Sequence, residues 1–162
     1  MTPEHLSNRE LVARYRAGGP VPAQAIAGLT RDDLLAFPVR GTWSIQQIII
    51  HLMDSDLIAA DRMKRVIAEE RPTLLGYNET AFAQRLFPER LDVTMACDVF
   101  HKNRLMTAEI LSHLPEEAFS RVGLHNERGE VSLRHFVESY SDHLDHHLKF
   151  IYEKRRLLGK PL

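Results

Sequence analysis

His143 and His147 stand four residues apart near the end of the chain, and a third histidine, His51, sits in an isoleucine-rich run behind Trp43 and Ser44. A four-residue interval is about one helical turn, so both imidazoles project from one side of a helix and can share one divalent metal ion. His51, brought alongside from a second helix, would complete three nitrogen ligands and leave coordination positions open, as in catalytic rather than closed structural sites. Three neutral imidazoles leave the ion its double charge, which can lower the pKa of bound water from 15.7 to about 7 or favour a thiolate over a thiol. Taken alone, a pair at this spacing is more often solvated or hydrogen-bonded than a ligand set, and nine histidines in 162 residues make accidental pairs easy.

Helices must position these groups. Ser7-Asn8-Arg9-Glu10 has the spacing of a capping box, in which serine oxygen and glutamate satisfy each other's orphan amides, so a first helix starts there. Gly18-Gly19-Pro20 and Pro22 interrupt it, and Thr30 to Asp33 repeats the cap signal before a short segment ending at Pro38. Ser44-Ile45-Gln46-Gln47 opens a second long helix running to about Glu70, ahead of Arg71-Pro72. From Pro72 to Leu91 lies a long loop with a short helix starting at Asn78, of a length that often shapes a binding site. A third helix over Asp92–Leu114 is suggested by Met95, Val99, Met106, Ile110 and Leu114, and Pro115 limits it. Arg121 to Val131, turning at Arg128-Gly129, reads as an irregular or hairpin-like connection, after which Ser132 caps a fourth helix to about Leu158.

Periodicity then separates the histidines of that last helix. Leu133, Phe136, Tyr140, Leu144, Leu148 and Ile151 form one apolar stripe. At 100° per residue His147 lies roughly 40° from its middle, His143 roughly 80° and His146 roughly 140°, so the first two border the core while His146 points to water. On the second helix His51 flanks the stripe of Ile45, Ile48, Leu52, Ala59, Met63 and Val66 by about a quarter turn, a crevice position. An unpartnered buried ring there costs on the order of 1 to 3 kcal/mol, and a metal is one possible partner.

Composition bounds the rest. A length of 162 residues with 44% hydrophobic content suits a single domain, 1–162, with one core. A net charge of -1 and a pI near 6.8 give no electrostatic reason to expect nucleic acid or an anionic membrane surface. No apolar run approaches the roughly 20 residues of a membrane span, and Met1 to Glu10 lacks the apolar core of a secretory signal. With one cysteine, Cys97, in an apolar stretch that favours a buried inert thiol, the expectation is a cytoplasmic, soluble protein.

Helper residues are less specified. Asp54, one turn after His51, can orient a ligand or a water, although an exposed helix carboxylate is the commoner case. Tyr77 and Asn78 can close over a pocket from the long loop, with capping and packing as equal accounts. Arg104 can hold a substrate carboxylate, against the commoner surface ion pair. Trp43 reads as a packing anchor beside the second helix's cap, and His5, His101, His113 and His135 as surface or packing residues.

The segments Gly41-Thr42-Trp43-Ser44-Ile45, His51-Leu52-Met53-Asp54-Ser55, Pro72 to Asn78, His125 with Gly129, and His143 to Leu148 occur in an order that resembles the DinB-like superfamily, nearest its YfiT-like metal-dependent hydrolases. The resemblance implies an all-α fold, a four-helix bundle of up-down-down-up connectivity with a long loop between helices 2 and 3. It also implies a divalent ion, zinc or nickel ahead of iron or manganese, on His51, His143 and His147, and a homodimer. His125 matches a family-like loop position without an assigned role. Many relatives follow the last ligand with Arg-Gly-Gln where this chain has Leu148-Lys149-Phe150, so nothing resting on that polar tail carries over. Fold cannot choose among the activities. Hydrolysis of a small molecule leads, with metal-assisted transfer of a low-molecular-weight thiol and a non-catalytic, metal-stabilised bundle as alternatives.

Overall fold

The computed structural model describes residues 6–162, and His5 lies outside the described residues. Local capping chemistry sets the helix starts. Ser7 and Glu10 close a capping box over α1 (Asn8–Ala17). The glycine-proline segment follows it, and α2 (Val21–Ala25) then begins with Pro22 in its first turn, where proline's missing N–H is no loss. Thr30 and Asp33 box α3 (Arg31–Leu35), and Ser44 and Gln47 box the 24-residue α4 (Ile45–Ala68). Asn78 caps α5 (Glu79–Arg85), Asp92 caps α6 (Val93–Ser112), and Ser132 caps α7 (Leu133–Leu157).

Contacts between named residues fix the direction of the four long helices. Leu6 and Asn8 meet Arg134 while Arg14 meets Asp145, so α1 and α7 run parallel. Gln46 reaches Pro88 and Leu91 while Asp56 meets Asn103 and Arg104, so α6 follows the direction of α4. Tyr15 contacts Arg104 and Asn8 contacts Glu116, which makes α1 antiparallel to α6. His51 meets His143 whereas Arg62 meets Tyr140, so α4 and α7 are antiparallel. The bundle is therefore up-down-down-up, and the two parallel middle helices need the long crossover between Ala68 and Val93 that the sequence supplies.

A polar layer divides the core. One apolar cluster gathers Ala59, Met63 and Val66 of α4 with Leu133, Phe136 and Val137 of α7; the other gathers Ile45, Ile48 and Ile49 with Leu144, Leu148 and Ile151. Between them Arg104, only 1% exposed, bonds Asp56 at 3.0 Å and stacks between the rings of Tyr15 and Phe100. Its remaining donors go to the carbonyls of Tyr15 and Tyr140. Arg104 is thus a core ion pair tying all four long helices, which corrects both the substrate-binding and the surface readings. Gly18 serves the same layer: a Cβ there would lie 2.6 Å from Nη1 of Arg104.

The buried face of α6 also differs from the hydropathy pattern. Ala96, Cys97, Phe100, Arg104, Thr107, Ala108 and Leu111 point inward, and Met95 and Met106 are exposed. Small and polar residues join the inward face because α6 packs around the Asp56–Arg104 pair, which displaces the large apolar side chains Met95 and Met106 to the surface.

Among the described residues three short strands accompany the helices: β1 (Thr73–Leu74), β2 (Val122–His125) and β3 (Gly129–Ser132), in the order β1-β2-β3. The β2–β3 hairpin turns where Gly129 adopts φ +75, and β1 adds in parallel to β2 with Leu74 opposite His125. That pairing holds the crossover segment against the hairpin and puts both over the α4–α7 crevice.

Candidate metal centre

The antiparallel contact of α4 with α7 brings His51 onto the one-turn pair His143 and His147. Nε2 of His143 lies 3.1 Å from Nε2 of His51 and 3.1 Å from Nε2 of His147, and one ligand atom from each of the three falls within 4.8 Å of the others. Metal–nitrogen bonds of about 2.0 to 2.1 Å at near-tetrahedral angles put neighbouring nitrogens roughly 3.3 Å apart, so the spacing suits one ion. The donor chemistry suits it as well. Burial, then the nearness of His147 and His51, pushes the His143 imidazole down to about 3, and burial with neighbouring histidines pushes His147 down to about 4. Burial lowers His51 too, against the pull of Glu79. All three are therefore neutral near pH 7, the form that ligates.

Aromatic packing orients the rings. Trp43 stands 5.0 Å from His51 between centroids, closer to the site than a cap anchor requires, and Phe150 is 6.2 Å from His147. The Nδ1 of His147 is buried without a partner among the described residues, so none of their acceptors fixes its tautomer.

A cavity of about 430 Å³ opens beside the histidines, bordered by His143 and His147, by Tyr77 from the crossover, and by residues of α5 and the hairpin. Tyr77 donates to Ser55 Oγ at 3.2 Å, and burial pushes its phenol up to about 12, so it remains protonated. Glu79 brings a carboxylate oxygen 3.7 Å from Nε2 of His51. Arg62, His125 and Arg128 line the same space. Sequence reasoning missed Arg62 and Glu79. A signal existed for Arg62: eleven residues after His51, it returns to within about 20° of it on the helix. Glu79 had none, because the turn that aims it depends on β1 pairing far along the chain.

Other expected residues fall elsewhere. Asp54 is half-buried with its carboxyl pushed up by burial, but it does not line this cavity. Asn78 spends its Oδ1 on the N–H of Ala81 as the cap of α5, and it too is outside the cavity lining. His125 is buried in β2, accepts from the N–H of Glu127, and faces the cavity. His146 is exposed at the cavity mouth, His113 pairs with Glu109 on the surface, His135 is exposed, and His101 is half-buried. Cys97 is buried with its thiol pushed up to about 11, hence protonated and unreactive near pH 7. Among the described residues no helix is long and apolar enough to cross a membrane.

Helical connectivity and a three-histidine cluster at the α4–α7 crevice define a class, and comparison with known proteins gives the same class. Residues 21–151 match the DinB superfamily, and the chain belongs to that family. It is similar to a protein of Oceanobacillus iheyensis named "Putative metal-dependent hydrolase", 27% identical over 146 residues that span 90% of this chain and 71% of that one. It is also similar to YfiT of Bacillus subtilis, which carries the same name, at 28% identity over 144 residues covering 86% and 80% of the two chains. The solved structure of Bacillus subtilis YfiT, described as a probable metal-dependent hydrolase with an unusual four-helix bundle topology, superposes with a TM-score of 0.90 over 99% of this chain and 94% of that one at 22% identity.

Proposed function

We propose that the protein is a metal-dependent hydrolase of a small molecule, with His51, His143 and His147 as the ligands of one divalent ion, zinc or nickel. The convergence of three neutral Nε2 atoms beside an open cavity carries the reading. The relatives' names support it. A bound ion of this kind supplies Lewis acidity and makes water a nucleophile near neutral pH. The chain's own groups do the rest. Ser55, whose Oγ accepts from Tyr77, keeps its own hydrogen for a substrate oxygen, and Glu79, 3.7 Å from His51, is placed to take a proton from a water at the site.

The test is turnover by zinc- or nickel-reconstituted protein across ester, amide and lactam panels. Hydrolysis that disappears on chelation and in His143→Ala is expected; its absence across all three panels with the site saturated would contradict the reading.

One observation favours a second reading, transfer of a small thiol to an electrophile. His147 also borders a second cavity of about 480 Å³ lined by Val39, Trp43, Ile48 and Phe150, which gives room for two substrates. In that reaction the thiolate sulfur bonds to an electrophilic carbon, the bond to the leaving group breaks, and the thiol proton passes to water. Thiol-dependent loss of an epoxide or aryl halide would select it.

A further inference from the structure

At the end of the cavity away from His51 lies a buried cation without a counter-ion. Arg62 is 5% exposed, and it joins no ion pair among the described residues. Its Nη1 donates to the Tyr140 hydroxyl at 2.9 Å, its Nη2 to the carbonyl of Leu75 at 2.6 Å, and its Nε is buried with no acceptor among the described residues. Arg104, equally buried in the same bundle, has Asp56 against it. Neutral acceptors satisfy a guanidinium's hydrogens without offsetting its charge, and a charge withdrawn from water calls for an opposite one.

The neighbours of Arg62 are arranged for such a charge. The Tyr140 hydroxyl accepts from Arg62 and, among the described residues, donates its own hydrogen to nothing; burial keeps it protonated. Arg128, exposed in the hairpin turn, lines the rim of the same cavity. His125, buried beside them, is held toward its neutral form by burial and then by Arg62 and Arg128. Two carboxylates, Glu79 and Glu127, also line the cavity, but both are exposed, and Glu79 stands at the histidine end. Solvent screens these exposed charges, that of Arg128 included, far more than a buried one, so Arg62 sets a positive field at depth.

We propose that Arg62, with Tyr140 and Arg128, binds an oxyanion of the substrate, carboxylate or phosphoryl. The substrate class is then a small acid whose anionic group lies several bonds from the group that reacts at the histidines. The Tyr140 and His143 rings are 5.9 Å apart, and Arg62 lies beyond the Tyr140 hydroxyl, so one molecule fits both ends of the cavity. The position of the reacting group rests on the proposed function; the anion site does not.

Calorimetric titration with hexanoate, its neutral amide hexanamide, and pentylphosphonate tests it, using both metal-free and zinc-reconstituted protein. Hexanoate should bind the metal-free protein at least about tenfold more tightly than hexanamide, as expected when one charge-assisted hydrogen bond is at stake. The preference should persist in His143→Ala and vanish in Arg62→Met, with the fold of each variant checked by circular dichroism. Tighter binding of the phosphonate, also lost in Arg62→Met, supports the site and assigns it a phosphoryl group. Equal binding of acid and amide to the wild-type protein, absence of binding by both acids, or an acid preference that needs zinc would each overturn the proposal, and none depends on a variant folding. Failure to bind zinc would defeat the metal-centred reading while leaving the metal-free titration intact.

Discussion

His143 holds the central position among the ligand candidates, within 3.1 Å of both partners, and its burial makes protonation costly. In the unfolded chain these imidazoles take up protons near pH 6.5, whereas in the fold His143 does so only near 3 and His147 near 4. As pH falls through 6.5 the unfolded state gains protons that the folded state refuses, so stability present above 6.5 declines toward lower pH. Urea denaturation of the metal-free protein at pH 7.5 and 5.5 should show a loss over that interval, and His143→Asn with His147→Asn should flatten it. Among single residues the pair His143 and His147 was legible because i, i+4 spacing is a local signal, whereas His51, 92 residues from His143, joined it only through the family resemblance. Arg62 and Arg104 were not: an arginine on a helix defaults to the surface, and only partners from other helices, Tyr140 and Asp56, reveal that it is buried.

Helix starts were legible for the same local reason. The boxes at Ser7, Thr30 and Ser44 are completed within four residues. Ser44→Ala removes the oxygen that accepts from the N–H of Gln47 at the end of α4 nearest His51, and should cost about 1 kcal/mol in denaturant unfolding. The inward face of α6 was not legible, since its buried set includes Arg104 and Thr107 while two methionines point out. The reason is the Asp56–Arg104 pair, a contact between residues far apart in sequence. Asp56→Asn leaves the guanidinium uncompensated between the two apolar clusters and should destabilise by roughly 3 to 5 kcal/mol in the same measurement; a change below about 1 kcal/mol would refute that role for the pair. The parallel pairing of β1 with β2 is equally non-local, which is why the sequence indicated only the hairpin.

At the scale of the whole molecule, up-down-down-up connectivity makes α4 and α7 antiparallel neighbours and routes the crossover and hairpin over the crevice between them, so one topology builds both the histidine cluster and its cavity. An ion bound only by the folded chain adds stability by mass action, about 4 kcal/mol at a thousandfold excess over its dissociation constant. Chelation should therefore lower the melting temperature of the wild-type protein and leave His51→Ala/His143→Ala/His147→Ala unchanged. The most direct measurement is calorimetric titration of tag-free, chelator-stripped protein with zinc, with elemental analysis of the product. One ion per chain is expected, with affinity falling at least about 100-fold in His143→Ala, beyond the range for loss of an outer partner alone. Zinc binding of unchanged stoichiometry and affinity in the triple variant, or no stoichiometric binding by the wild type, would contradict it.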